Sequence, residues 1–106
     1  MNNNEENKLN GFKNYLQKLG NGKETIRHKM NYIHYFFNWM ESEHLEPTET
    51  RYNDLLNFID YCLQEGKSKR HINRKLGSIR NYYDFLKKQN PDITNPASNL
   101  NLRGIK

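Results

Sequence analysis

The apolar residues of this chain recur every three or four positions in four separate stretches, which is the spacing of amphipathic α-helices. The stripes are Leu9, Phe12, Leu16 and Leu19; then Ile26, Met30, Ile33, Phe37 and Met40; then Leu55, Phe58, Ile59 and Cys62; and last Ile72, Leu76, Ile79, Tyr83 and Leu86. The pattern predicts helices over about 5–19, 23–43, 50–64 and 69–88, and no strand.

Residues that stop helices separate these stretches. Gly20-Asn21-Gly22 follows the first stretch and Gly66 follows the third, and both residue types tolerate the left-handed backbone at a helix C-terminus. Pro47 breaks the chain after the second stretch, and Asn90-Pro91 ends the fourth. Ser68 is placed to cap the fourth helix, because a serine hydroxyl accepts a hydrogen bond from an orphan backbone N–H.

The chain repeats itself at an offset of 46 residues. The residues Leu9, Phe12, Tyr15, Gly20, Lys23, Ile26, Lys29 and Ile33 return as Leu55, Phe58, Tyr61, Gly66, Lys69, Ile72, Lys75 and Ile79. Two copies of one helix–turn–helix unit explain this match. The predicted fold is therefore all-α, a four-helix bundle of two helical hairpins related by the internal repeat.

A length of 106 residues fits one domain with a modest core. The mean hydropathy of −1.14 is very polar, but the aromatic content of 12% argues against disorder. We predict a flexible N-terminus over residues 1–8, a helical domain over residues 9–96, and an extended tail or linker over residues 97–106 with no core of its own.

Several classes of function lack their signals. No stretch approaches the roughly 20 apolar residues of a membrane span, and the N-terminus has no secretory signal. Cys62 is the only cysteine, which fits a reducing cytoplasm. The four histidines form no zinc-binding pair, and no Gly-rich phosphate loop or nucleophile–base set is present. We therefore expect no metal, no cofactor and no catalytic residue in this chain.

Charge is distributed unevenly along the chain, whose formal net charge is +5. The segment from Glu41 to Glu65 holds seven acids and one base, Arg51. The segment from Gly66 to Tyr83 holds six bases and no acid. An acidic element is thus followed by a strongly basic one, which indicates a polyanionic partner.

The basic residues gather where the second helix of each repeat begins. On a helical wheel Arg70, Arg74 and Asn81 point outward from the fourth helix, and His28, Asn31 and Tyr35 point outward from the second. Lysine and arginine neutralise phosphates, and arginine, asparagine and histidine can reach base edges in the major groove. The candidate residues for binding duplex DNA are Lys23, Thr25, Arg27, His28, Lys29, Lys67, Lys69, Arg70, His71, Asn73, Arg74, Lys75 and Arg80. The alternative is an ordinary solvated helix face.

The second repeat resembles the N-terminal core-binding domain of tyrosine recombinases (phage-type integrases), a SAM-like helical domain. The matching residues are Gly66, Ser68, Ile72, Asn73, Arg74, Leu76, Ser78, Ile79, Arg80, Tyr82, Tyr83 and Asn95-Pro96-Ala97. The first hairpin is similar as well, with Thr25 at its usual place, so the resemblance covers about residues 9–102. Gly22, His71 and Gly77 depart from the family pattern.

The resemblance implies a role in DNA integration or recombination. In that family the helical domain covers one face of duplex DNA and forms a clamp with a separate catalytic domain that carries the tyrosine nucleophile. That catalytic set is absent here, so we expect this chain to be a fragment that ends at the linker. The resemblance further implies a tetramer on DNA for the full-length protein, a monomeric isolated domain, and a bacterial or phage-encoded protein of the cytoplasm.

Two other hypotheses compete with the DNA-binding one. In the first, the acidic third helix docks on a partner or on the basic helix of a neighbouring copy, so that the chain is a helical protein-interaction module with charge-driven self-association. In the second, the chain is a small enzyme, which the absence of a catalytic constellation disfavours. Within the DNA-binding hypothesis we expect the fourth helix to be the principal contact and the second helix its support.

Overall fold

The computed structural model describes residues 3–98 and residue 100, with side chains from residue 9 onward. Four α-helices make up most of this region, and it contains no strand, as predicted. The helices are α1 (Asn3–Lys18), α2 (Lys23–Ser42), α3 (Tyr52–Gln64) and α4 (Lys69–Gln89), with a short 3₁₀ turn at Pro47–Glu49. Since α1 begins at Asn3, residues 3–8 of the predicted flexible segment are helical, and residues 1–2 lie outside the described residues.

The helices end where the sequence predicts. Gly20 and Gly66 have positive φ values of 89° and 83°, the left-handed conformation that glycine adopts without steric cost. The Ser68 hydroxyl accepts a hydrogen bond of 3.1 Å from the His71 backbone N–H and so caps α4, as predicted. Gly22, its repeat equivalent, gives α2 no such cap.

The core is formed by α2 and α4, which make the most extensive contact, with α1 and α3 packed on them. The rings of Phe12 from α1 and Phe37 from α2 both meet Tyr82 of α4 edge-on, at centroid distances of 5.4 and 5.3 Å. Phe58 attaches α3 to α2 through Phe36, at 5.1 Å. Large aromatic side chains therefore supply much of the buried volume.

The buried stripe of α2 differs partly from the predicted one. Ile26, Ile33 and Met40 are buried, but Met30 and Phe37 are only partly so. Phe36 and Trp39 are buried in their place. The reason is that α2 is enclosed from several sides, so its buried face is wider than a single seam against one neighbouring helix.

The segment after α4 packs back on the bundle, which corrects the prediction of an extended tail without a core. Ala97 and Leu100 are buried within the main hydrophobic cluster. Asn95 is buried too, and its side-chain amide donates hydrogen bonds to the Arg80 carbonyl at 3.1 Å and to the Asp84 carboxylate at 2.9 Å. Residues 99 and 101–106 of the predicted linker lie outside the described residues.

Within the described part of the chain, no helix combines the length and the apolar character that a membrane crossing requires.

Candidate nucleic-acid interface

A groove between α2 and α4 gathers polar and basic side chains from both repeats. Its volume is about 560 Å³. The residues that line it are Thr25, His28, Lys29 and Tyr32 of α2, and Arg74, Gly77, Ser78, Arg80 and Asn81 of α4. None of these lining residues is acidic. We call this feature the α2–α4 groove, and it brings together five of the thirteen candidate residues.

Lys29 is fixed within the α2–α4 groove. Its Nζ donates a hydrogen bond of 2.7 Å to Oδ1 of Asn81. The side chain is half-buried, and burial lowers the pKa of its ammonium group. Asn81 was predicted to point outward but was not among the candidates. The pair holds a positive charge at a defined place between the two helices.

On the helical wheel Lys75 flanks one edge of the outward face of α4, but the structure buries it. Its side chain is only 4% exposed. Nζ lies 4.0 Å from the ring centroid of Tyr35 and 4.8 Å from that of Tyr32, so two aromatic faces of α2 cover the ammonium group. Such cation–π contacts stabilise a lysine that has lost its water. The prediction failed because tyrosines of the other repeat extend over this edge of α4, including Tyr35, which was predicted to point outward.

The two lysine contacts are related by the repeat. An offset of 46 converts Lys29 into Lys75, and the same offset converts Tyr35 into Asn81. Lys29 of the first repeat contacts Asn81 of the second, and Lys75 of the second contacts Tyr35 of the first. Each lysine therefore crosses the α2–α4 interface to the equivalent position of the other copy, as a pseudo-twofold relation between the hairpins requires.

Burial of Lys75 predicts a pH dependence of stability that methionine at this position should remove. Burial lowers the pKa of the Lys75 ammonium group. Between that lowered pKa and the ordinary value of about 10.4, the unfolded chain holds the proton that the folded protein has lost. The contribution of Lys75 to the free energy of unfolding should therefore be least favourable below the folded pKa and should improve as pH rises toward about 10.4.

Denaturant titrations of the wild type and of Lys75→Met from about pH 7 to pH 10 measure this effect. The difference in unfolding free energy, wild type minus variant, should grow with pH. Using this difference removes most of the pH dependence that Cys62 and the tyrosines contribute to both proteins. The matched control is Lys87→Met on the exposed surface of the same helix. A difference that stays constant for Lys75→Met over this range would contradict the buried position.

The N-terminal end of α4 continues the basic surface. Lys69 and Arg70 are exposed. Lys67 is half-buried, with Nζ 5.8 Å from the ring centroid of Tyr35. His71 meets Tyr32 edge-on at 5.5 Å, and burial first, then the nearby cations, lowers the pKa of its imidazole, which favours the neutral form. A neutral imidazole offers one donor and one acceptor instead of a charge.

The three remaining candidate residues, Lys23, Arg27 and Asn73, lie neither in the α2–α4 groove nor at the start of α4. Lys23 and Arg27 line a different groove, between α1 and α2. Arg27 also pairs with Glu24 of the preceding turn, at 2.8 Å between Nε and Oε1. Asn73 is half-buried on α4 and is not among the residues that line the α2–α4 groove. The helical wheel could not separate these positions because it ignores the neighbouring helices.

Arg80 lines the α2–α4 groove, but its guanidinium group is engaged with the segment after α4. Nε donates to the Ala97 carbonyl at 3.0 Å, and Nη2 donates to the Leu100 carbonyl at 2.6 Å. A guanidinium group has five N–H donors in a fixed planar arrangement, and two of them already make hydrogen bonds here. The structure thus gives this candidate residue a role in holding Ala97 and Leu100 against the bundle.

Replacing Arg80 with methionine should release that segment. Hydrogen bonds from a charged donor contribute about 1.5–3 kcal/mol each, so losing both should raise the local exchange rate of backbone amides at least about a hundred-fold. Hydrogen exchange of the Ser98 and Leu100 amides, which bond to Asn95 and Ala97, measures this. In Asn38→Ala, an exposed change on α2, these amides should exchange as in the wild type. Equal exchange in Arg80→Met and the wild type would contradict the role of Arg80.

Sequence reasoning missed Tyr32, Ser78, Gly77 and Asn81 as residues that line the α2–α4 groove. The repeat held one usable signal for Asn81: it is the equivalent of Tyr35, and both residues were predicted to point outward from the second helix of their repeat. Among the described residues no group of three or more histidine, cysteine, aspartate or glutamate side chains is arranged to hold a metal ion. The arrangement is suited to binding an extended anion along a cleft lined by cationic and uncharged polar side chains.

Comparison with known proteins gives one family and several relatives. The family model for the phage integrase N-terminal SAM-like domain matches residues 8–90. Tyrosine recombinase XerD of Rickettsia bellii is 30% identical over 67 residues, which cover 63% of this chain and 22% of the relative. Tyrosine recombinase XerC of Staphylococcus carnosus is 26% identical over 78 residues, covering 74% of this chain and 26% of the relative.

XerC of Staphylococcus aureus strain USA300 is 27% identical over 90 residues, covering 84% of this chain and 30% of the relative. The matched region therefore spans only about a quarter of the length of these curated relatives. No solved structure gives a significant match.

Proposed function

Because this chain belongs to the family of phage integrase N-terminal SAM-like domains, we propose that it binds duplex DNA as one part of a site-specific tyrosine recombinase. The α2–α4 groove is the observation that carries this proposal. Two repeat-related helices border it, its lining residues include four basic side chains or histidines, and none is acidic. Duplex DNA is the extended polyanion that such a surface fits.

In this proposal, positive charge supplies most of the binding affinity, and the fixed positions of the contacting groups set the register on the DNA. Arg74 of the groove and the exposed Lys69 and Arg70 at the start of α4 neutralise phosphates and release counterions, which supplies most of the affinity. The N-terminus of α4 adds its own partial positive charge. Lys29, held by Asn81, adds a positioned cation between the helices. Phosphate contacts fix the register of the domain on the duplex, and base contacts specify the sequence.

The chemistry of strand exchange belongs, in this proposal, to a part of the protein outside this domain. The relatives named above are tyrosine recombinases, and the matched region covers only a fraction of each. This domain then covers one face of the DNA as half of a clamp. The proposal includes assembly of the whole protein as a tetramer on DNA, a role in DNA integration or recombination, and a bacterial or phage-encoded protein of the cytoplasm.

Salt-dependent binding of a labelled duplex tests the proposal. With about five to six phosphate contacts, log K should fall against log salt with a slope near −5, because each contact contributes about −0.9. Fluorescence anisotropy of a duplex of about 30 base pairs, titrated with this chain at several salt concentrations, measures the slope. An absence of binding at about 50 mM salt, or binding that is independent of salt, would overturn the proposal.

A further inference from the structure

The outer surface of α3 carries large apolar side chains that nothing in the bundle covers. Tyr52, Leu56 and Leu63 are 52%, 39% and 43% exposed. Their spacing of four and seven residues puts them on one face of the helix. We call these three residues the α3 stripe. Of the five large apolar side chains that are exposed among the described residues, four belong to α3, the fourth being Tyr61.

The internal repeat shows that the fold does not require this stripe. Subtracting 46 from Tyr52, Leu56 and Leu63 gives Glu6, Asn10 and Gln17 of the first repeat. The same positions of the same structural unit are therefore polar in one copy and apolar in the other. Exposed apolar side chains grouped on one face mark surfaces that bind another molecule.

The α3 stripe has an acidic neighbour and belongs to an acidic part of the chain. The helix itself carries Asp54 and Asp60 and no basic residue. Asp60 is exposed and lies four residues after Leu56 and three before Leu63, so it borders the stripe directly. The segment from Glu41 to Glu65 holds seven carboxylates against the single arginine Arg51. The partner that fits this surface has an apolar centre and a basic edge.

The same molecule presents a surface of that kind. The groove between α1 and α2 has a volume of about 550 Å³. The buried Ile26 and the partly buried Met30 form its apolar floor. None of its lining residues is acidic, and its basic members are Lys13, Lys23, His34 and Arg27, the last already paired with Glu24. We call this feature the α1–α2 groove, and it is distinct from the α2–α4 groove assigned to DNA.

We propose that the α3 stripe of one copy of this chain docks in the α1–α2 groove of a second copy. The leucines of the stripe meet the apolar floor, and Asp60 meets Lys13 and Lys23 at the rim. Because the two surfaces differ, the contact runs head to tail, so each copy can both give a stripe and receive one. When each copy makes this contact with the next, the assembly either closes into a ring or grows as an open filament.

The size of the contact sets its strength. Stable protein–protein interfaces bury about 1,200–2,000 Å² in total, and one face of a 13-residue helix in a shallow groove provides less. Free copies are therefore monomeric at micromolar concentration and associate near a dissociation constant of about 1 mM. Copies held side by side on one duplex have a far higher effective concentration, so the contact then acts as cooperativity.

Two complementary variants test the contact without DNA. The stripe variant is Leu56→Gln with Leu63→Gln, and the groove variant is Lys13→Glu with Lys23→Glu; all four positions are exposed. Each variant lacks one surface and keeps the other. Sedimentation equilibrium up to about 1 mM, in about 0.15 M salt where the Debye length is about 8 Å, measures the association.

The expected result is specific to a head-to-tail contact. The average mass of the wild type rises with concentration, each variant alone remains a monomer, and their equimolar mixture forms a dimer that grows no further. A wild type that stays monomeric at about 1 mM overturns the proposal. Association of the groove variant alone also overturns it, since that result means stripe-to-stripe pairing. Circular dichroism melts that match the wild type establish that both variants are folded.

The proposal does not depend on DNA binding, because no DNA is present in the experiment. The contact can exist in a domain that binds no DNA, and a domain that binds DNA can lack the contact. Failure of one proposal therefore leaves the other standing.

Discussion

Replacing Phe58 with alanine should destabilise the domain by about 3–5 kcal/mol, the range for truncating a fully buried phenylalanine. Phe58 is buried completely, and its ring meets Phe36 at 5.1 Å and Trp39 at 5.2 Å between centroids. These contacts attach α3 to α2. The loss combines the transfer energy of the ring with the cavity that it leaves, because packed helices relax only partly.

Denaturant titration measures this change, and Tyr52→Ala on the same helix is its matched control. Tyr52 is about half exposed, so its truncation should change the unfolding free energy by no more than about 0.5 kcal/mol. A domain of this size has a total stability of about 5–15 kcal/mol, so Phe58→Ala should leave little folded protein in mild denaturant. A cost below about 1 kcal/mol would mean that α3 is not held through this ring.

The fold could be predicted from the sequence because helix periodicity and helix ends are local properties. The apolar spacing, Gly20, Gly66 and the Ser68 cap located the four helices within a few residues, and the structure confirms the all-α class. The repeat added the pairing into hairpins. Position 97 and position 100 were misjudged because their burial depends on the distant Arg80, a contact that no local pattern encodes.

The candidate site could be predicted only in part, since a helical wheel describes one helix and a site is shared by two. Arg74 does line the α2–α4 groove, together with Thr25, His28 and Lys29. Lys75 lies only 60° from the centre of the apolar stripe on a wheel of 100° per residue, and the tyrosines of α2 cover it. Its burial therefore follows from the packing of α2 on α4.

The repeat also explains why the two helices of the proposed DNA-binding surface are unequal in charge. An offset of 46 relates Arg70 to Glu24 and Arg74 to His28. In α2, Glu24 pairs with Arg27 and cancels a charge, whereas α4 has no acid in its first turn. The two repeats therefore share one backbone arrangement but differ in the charge at the start of their second helices. This asymmetry makes α4 the principal DNA contact in our proposal and directs the decisive substitution to its exposed arginines.

Neutralising Arg70 and Arg74 together should weaken binding to duplex DNA about 60-fold at 0.1 M salt. Both residues are exposed, and they lie four positions apart on one face of α4. Each phosphate contact contributes about −0.9 to the slope of log K against log salt, so losing two contacts should reduce the slope by about 1.8. Extrapolated to 1 M salt, the affinities of Arg70→Gln/Arg74→Gln and the wild type should agree, because the loss is electrostatic.

Lys87→Gln with Lys88→Gln provides the matched control for this pair. It removes the same charge from the same helix, at exposed positions in the last turn. If α4 contacts DNA through its first half, this control should change affinity only through the weak long-range field, which salt screens beyond about 10 Å at 0.1 M. Equal losses in the two double variants would show attraction by net charge alone. A salt slope unchanged by the Arg70 and Arg74 substitutions would remove these arginines from the interface, and with them the assignment of α4 as the principal contact.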